Sequence, residues 1–163
     1  MNELITHTLE PIYDNHSNVL ILGTMPSPKS REAGFYYSHP QNRFWPVMAA
    51  VFSCDVPRTN EEKRTFLFEN HIALWDVLQS CEMKGAEDSS IKNPLVNDIG
   101  RILNAADIKK IFTTGKKATV LYTRMCYPIT GRASVYLPST SPANCARYSL
   151  SLLTEEYKAL RKQ

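Results

Sequence analysis

The sequence predicts an α/β fold: a three-layer α/β/α sandwich around a small, mostly parallel four-stranded sheet. Three observations predict it. Four short apolar runs, at 19–23, 72–75, 108–113 and 134–137, are too brief for helices and read as buried strands. Stretches with helical spacing separate them. Strands that alternate with helices pair in parallel through right-handed crossovers, which places helices on both faces of the sheet. The chain of 163 residues is 43% hydrophobic and 21% charged, so one domain spanning 1–163 can bury its core without metal or disulfide staples.

The elements follow in order. After the first strand, Phe44, Val47, Met48, Val51 and Phe52 fall on one face of a helix at 42–52. Thr59 offers an N-cap, with Glu61 and Glu62 in the first turn, for a helix running to about Asn70. Ile99, Ile102 and Leu103 give a face to a helix at 97–105, and two more helices occupy 115–125 and 144–160. The stretch 80–94, with Gly85, Asp88, Ser89 and Ser90, reads as a long polar loop of the kind that often carries function. Pro26, Pro28, Pro40, Pro46, Pro138 and Pro142 crowd the loops after the first and last strands, where a fixed φ lowers the entropy lost on ordering a site.

Composition excludes several classes. No apolar run approaches the roughly 18 residues that span a bilayer. Met1-Asn2-Glu3-Leu4 lacks a basic segment and an apolar core, so no secretory signal and a cytoplasmic location are expected. Cys54, Cys81, Cys126 and Cys145 form no C-x-x-C pair and His7, His16, His39 and His71 are scattered, so reduced thiols, no metal and no cofactor are expected. The formal net charge of +3 is unremarkable, but its distribution is not. Seven basic residues and no acidic one lie between 109 and 147. A sector of one sign suits an anionic polymer, and solvated helix faces explain it equally well.

The chemistry-bearing residues gather in two loops. Leu22-Gly23-Thr24-Met25-Pro26-Ser27 leads into Tyr36-Tyr37-Ser38-His39-Pro40-Gln41-Asn42-Arg43-Phe44-Trp45, and the last strand leads into Leu137-Pro138-Ser139-Thr140-Ser141-Pro142-Ala143-Asn144. Ligands of open α/β sheets bind beyond the carboxyl ends of the strands, where both loops stand. Thr113-Thr114-Gly115-Lys116-Lys117 is not a phosphate loop, because Lys110 stands where the first glycine is required. It is a strand-to-helix turn, plain or facing a phosphodiester. No G-x-S-x-G elbow and no paired carboxylates accompany the loops, and Asp76 and Asp88 read as caps or loop anchors. Rings, amides and hydroxyls without proton-transfer groups suit an uncharged planar heterocycle. Asn42 is the strongest catalytic candidate, since its carboxamide both donates and accepts; it also suits the N-terminus of the following helix, and the two roles are compatible. Phe44 and Trp45 read as core, and His39 as a loop brace.

Gly23-x-x-Pro26 followed by Gly34-Phe35-x-Tyr37-x-His39-Pro40-x-Asn42-Arg43-Phe44-Trp45 resembles, without a gap, the first motif of mismatch-specific uracil/thymine-DNA glycosylases. The segment 137–144 resembles the second motif of the uracil-DNA glycosylase superfamily, and Leu74-Trp75-Asp76-Val77 adds similarity to its hypoxanthine-DNA (deoxyinosine) branch. The resemblance implies a cofactor-free, monomeric DNA repair enzyme that flips a deaminated base out of DNA, hydrolyses its N-glycosidic bond and leaves an abasic site. It implies Asn42 and Ser139 as catalytic, and Gly23, Met25, Phe35 and Tyr37 as base-binding, Tyr37 by stacking. Ser27, Lys29, Arg43, Lys116, Ser141, Ala143 and Asn144 would hold the DNA. Three positions depart from the relatives: Met25 replaces a water-positioning asparagine, Ser139 a base-polarising His or Asn, and Ala143 a bulky wedge. A thioether cannot orient water, which points to hypoxanthine ahead of uracil. The alternatives are a uracil/thymine mismatch glycosylase and a module that binds lesion DNA without turnover. No lysine stands where a Schiff-base nucleophile is expected, so strand cleavage is not.

Overall fold

Val19–Gly23 (β2) is buried at every residue, as a strand covered on both faces must be. In the computed structural model, which describes residues 2–85 and 87–162, β2 lies inside a parallel sheet. Met1, Ala86 (within the stretch 80–94) and Gln163 lie outside the described residues. The neighbours are Ile72–Asp76 (β3) on one side and Lys110–Thr114 (β6) on the other, with Val135–Leu137 (β7) beyond β6. The four predicted strands and their parallel pairing are all present, with ends moved by one or two residues.

Helices clothe this sheet: Pro28–Ala33 (α1), Phe44–Phe52 (α2), Asn60–Glu69 (α3), Gly100–Ala105 (α4), Lys116–Leu121 (α5), Tyr127–Thr130 (α6) and Leu150–Tyr157 (α7). The expected cap at Thr59 is a full capping box: Thr59 Oγ1 accepts from the Glu62 N–H at 3.0 Å, and the Glu62 carboxylate accepts from the Thr59 N–H at 3.3 Å. Two predicted helices are corrected. The helix expected at 115–125 passes into a π turn, Tyr122–Cys126, before α6. Pro128 has no N–H for the carbonyl four residues back, so the last turn before it widens. The helix expected at 144–160 begins only at Leu150, where Ser149 Oγ accepts from the Leu152 N–H at 3.1 Å.

The stretch 80–94 is a loop only at its centre, for both of its ends are strand. Leu78–Met83 (β4) and Lys92–Val96 (β5) form an antiparallel ribbon, to which Glu3–Thr6 (β1) adds a third strand. Leu78, Cys81 and Met83 point inward and the intervening residues are polar, a half-buried pattern easily read as irregular. Pro94 is tolerated because β5 is an edge. Asn97 ties the ribbon to the sheet, donating from Nδ2 to the carbonyls of Asp76 (2.9 Å) and Leu78 (3.0 Å). Among the described residues, no helix is long and apolar enough to cross a membrane.

Three buried phenols, Tyr36, Tyr122 and Tyr157, and the half-buried Tyr37 stiffen this assembly. Tyr157 donates to the Pro138 carbonyl at 2.5 Å and Tyr122 to the Arg132 carbonyl at 2.6 Å. Burial raises the pKa of Tyr36, Tyr37, Tyr122 and Tyr157 above the ordinary value near 10.0, and the charge of Asp76 adds to the rise at Tyr36 and Tyr37. An acid whose pKa is higher folded than unfolded stabilises the fold below its unfolded pKa and loses that contribution above it. Stability should therefore hold to about pH 10 and fall steeply beyond. Urea midpoints across pH 8–12 check this; with eight tyrosines in the chain and Tyr127 and Tyr136 exposed, only the share of phenolate absorbance that belongs to the buried rings should rise together with unfolding.

Candidate active site

Parallel pairing brings the carboxyl ends of the strands to one level. Gly23 at the end of β2 is in register with Asp76 at the end of β3, and Thr114 ends β6 beside them. The loop after β7 arrives from the far side. Between these ends lies a cleft of about 340 Å³. Of the residues the sequence singled out, Gly23, Met25, Ser27, Tyr37, Asn42, Ser139, Ser141 and Ala143 all line it.

Asn42 joins the two loops. Its Oδ1 accepts from the Phe44 N–H at 2.9 Å and from the Thr140 hydroxyl at 2.8 Å, and the Arg43 N–H donates to the Thr140 carbonyl at 3.2 Å. Two donors on one oxygen fix which end of the amide is which. The NH₂ group has no protein acceptor among the described residues and remains as a donor in a residue that borders the cleft. Asn42 thus serves the helix start and the cleft together.

Tyr37 adopts φ 54°, a left-handed conformation that costs a bulky residue energy. The ring is held there by stacking on Phe44, with centroids 3.9 Å apart and planes 9° from parallel, and by its hydroxyl 3.3 Å from Thr114 Oγ1. The loop carrying Ser139 is braced from within. Ser139 Oγ accepts from the Ser141 N–H (3.1 Å), the Ser139 carbonyl accepts from Asn144 Nδ2 (2.9 Å), and Ser141 Oγ accepts from the Ala143 N–H (3.1 Å).

Asp76, read from the sequence as a cap or anchor, is part of the cleft. Its carboxylate is nearly buried, and Oδ2 lies 2.8 Å from Nε2 of His7, whose side chain is only 3% exposed. The ribbon delivers His7: β1 runs antiparallel to β4, Thr6 opposite Ser80, and the His7 N–H continues the ladder to the Gln79 carbonyl. Oδ1 of Asp76 packs so close to Gly23 that a Cβ there would sit 2.6 Å from it. The register of Gly23 with Asp76 was the usable signal, since a carboxylate at a strand's carboxyl end, level with the glycine turn, points at the ligand position. His7 left no such trace. Met83 and Asp88 also reach the rim, brought by the ribbon.

Two assignments are corrected, Phe35 and Arg43. Phe35 is 2% exposed and does not border the cleft; it packs on Tyr36 and Trp45, under the cations of Lys63 and Arg64. Arg43 turns inward: Nη1 donates to the Tyr148 carbonyl at 2.6 Å, while Nε and Nη2 are buried without a hydrogen-bond partner among the described residues. It clamps the first loop to the chain beyond the second and offers nothing to a phosphate. Lys29 is exposed on α1 but is not part of the cleft wall. Ser27 borders the cleft while capping α1, accepting from the Ser30 N–H at 3.2 Å. Lys116 and Asn144 line a second, adjoining cleft that shares Ser139. Among the described residues no group of three or more His, Cys, Asp or Glu side chains is placed to hold a metal ion.

The comparisons with known proteins fit this geometry. The family model for the uracil DNA glycosylase superfamily matches residues 10–162. A hypoxanthine DNA glycosylase of Methanosarcina barkeri is 33% identical over 110 residues, 66% of this chain and 70% of its own length. One from Methanosarcina acetivorans is 29% identical over 143 residues, covering 86% of this chain and 89% of its own. The solution NMR structure of a Methanosarcina acetivorans protein described as a candidate uracil DNA glycosylase superposes with a TM-score of 0.80 at 26% identity, over 98% of this chain and 99% of that one.

Proposed function

Because the chain belongs to the uracil DNA glycosylase superfamily and is a DNA glycosylase, a hydrolase of N-glycosyl bonds, we propose that the base it releases is hypoxanthine, from deoxyinosine. The observation that carries this reading is the pairing, in one cleft, of a free amide donor on Asn42 with a buried carboxylate acceptor on Asp76. Deamination replaces an amino group by a carbonyl and protonates the adjacent ring nitrogen. The resulting lactam edge, an acceptor beside an N–H donor, complements such a pair. Adenine presents the reverse order, with a ring-nitrogen lone pair that a carboxylate repels. The names of the Methanosarcina relatives support hypoxanthine among the lactam bases.

The residues divide the work. The flipped base lies against Tyr37, whose far face is already fixed on Phe44. Gly23 lets the backbone come close to it. The bond from C1′ to the base nitrogen breaks with its electron pair leaving on the purine. A water oxygen then bonds to C1′ and loses its proton to solvent, while the departing base takes one up. Negative charge grows on the base, and the Asn42 NH₂ is a preorganised donor for it. Asp76 has the sign that opposes that charge, so its part is recognition. Among the described residues that line the cleft none is a lysine, and hydrolysis without strand cleavage is the expected outcome.

Uracil carries the same lactam edge, so the test is a panel. Duplexes bearing hypoxanthine, xanthine or uracil are incubated with excess enzyme, and abasic sites are revealed by alkali. Hypoxanthine should be released fastest. Faster release of uracil, or tight binding with no release, would reject the proposal.

A further inference from the structure

A second cleft, of about 520 Å³, opens beside the first, and Ser139 and Asp88 line both. Its walls come from four places: Lys117 and Val120 on one side of α5, Tyr136 on β7, Arg147 with Tyr148 ahead of α7, and Asp88 with Ser89 from the ribbon. Among the described residues, neither Lys116, Lys117 nor Arg147 lies within ion-pair distance of a carboxylate. Tyr136 is 41% exposed and Val120 48%, and both line the same cleft. Two cations beside an open phenol ring, outnumbering the single carboxylate of Asp88 in whose field Lys117 lies, form the combination that holds one nucleotide of an unpaired strand: phosphate on the cations, base on the ring.

We propose that this second cleft is a subsite for the nucleotide next to the excised one on the same strand. Its phosphate meets Lys117 and Arg147, and its base, unstacked from its neighbours, lies against Tyr136. The shared Ser139 makes this a continuous path: the strand leaves the base cleft over the braced loop and enters the second cleft directly. Stacking tolerates any base, so the subsite adds affinity without reading sequence. The proposal rests on the glycosylase reading for the identity of its ligand as DNA, and its test does not require that hypoxanthine be the substrate.

Oligonucleotides carrying a stable abasic analogue at the central position are made with a normal base, or with a baseless spacer, on its 5′ or its 3′ side. Binding is followed by fluorescence anisotropy. A spacer on one side alone should weaken binding by about 5- to 150-fold, the range that one base–ring stack carries. Tyr136→Ala should weaken the intact ligand equally and abolish the difference between intact and spacer ligands, while Tyr136→Phe should behave as the parent protein. Lys117→Gln with Arg147→Gln should flatten the salt dependence of binding. Equal binding of all spacer ligands, or a spacer effect that persists in Tyr136→Ala, overturns the subsite. Tight, spacer-sensitive binding in a protein that releases no base would instead overturn the proposed activity and leave the subsite standing.

Discussion

Replacing Asn42 by alanine should slow hypoxanthine release by roughly 10²–10³-fold, the usual cost of losing one preorganised donor to developing negative charge. Alanine also strips the Phe44 N–H and the buried Thr140 hydroxyl of their acceptor. Losing a helix-start acceptor and orphaning a buried hydroxyl together cost about 2–4 kcal/mol. Activity lost through instability must therefore be separated from activity lost through chemistry. Asn42→Asp does so. An aspartate oxygen accepts from both Phe44 and Thr140, so the melting temperature should stay near the parent's, yet the NH₂ donor is gone and a negative charge replaces it. Single-turnover rates should fall at least as far as in the alanine variant. An aspartate variant that retains most of its rate would show that the donor is not what accelerates release.

Gly23→Ala is expected to be nearly as damaging, for a steric reason. The added methyl would lie 2.6 Å from Asp76 Oδ1, 3.2 Å from the Tyr37 hydroxyl and 3.6 Å from Thr114 Oγ1. The first contact cannot be relieved cheaply, because Asp76 is pinned by His7 and the Gly23 backbone by its register with β3, where its carbonyl accepts from the Val77 N–H at 2.8 Å. Overpacking of this kind costs about 1–3 kcal/mol. The larger loss is functional: the carboxylate or the Tyr37 ring must leave its position, and release should fall by about 10²-fold, the cost of misplacing a binding group by an ångström. Gly23→Ala with Asp76→Ala removes the clash but leaves the buried His7 ring without its partner, so neither thermal stability nor release should return to the parent's value. If Gly23→Ala alone matches the parent in rate, Asp76 does not hold the base.

What could be read in advance follows from range along the chain. β2 and β3 are continuous buried runs, and their identity needs only local hydrophobicity. The two loops could be read from glycine, prolines and hydroxyls within a dozen residues of a strand end, and they do meet in one cleft. The ribbon could not, because β1 has no fully buried residue and β4 alternates around polar side chains. With it were lost His7 and the true setting of Asp76. Arg43 and Phe35 failed differently: a cation and a ring inside a motif look outward-facing on paper. In the fold both fill space behind the motif, which residue type alone cannot disclose.

The contacts that complete the base cleft close very long loops: His7 and Asp76 are 69 residues apart, Asn42 and Thr140 98. Contacts of that separation pay their chain entropy before they return any stabilisation, so they belong to the late, cooperative part of folding. The enzyme should consequently gain its ability to grip a base in a single step, as the last segments dock. A chain still emerging from the ribosome, or one nicked between the two halves of the cleft and separated, holds neither floor nor walls and passes DNA by.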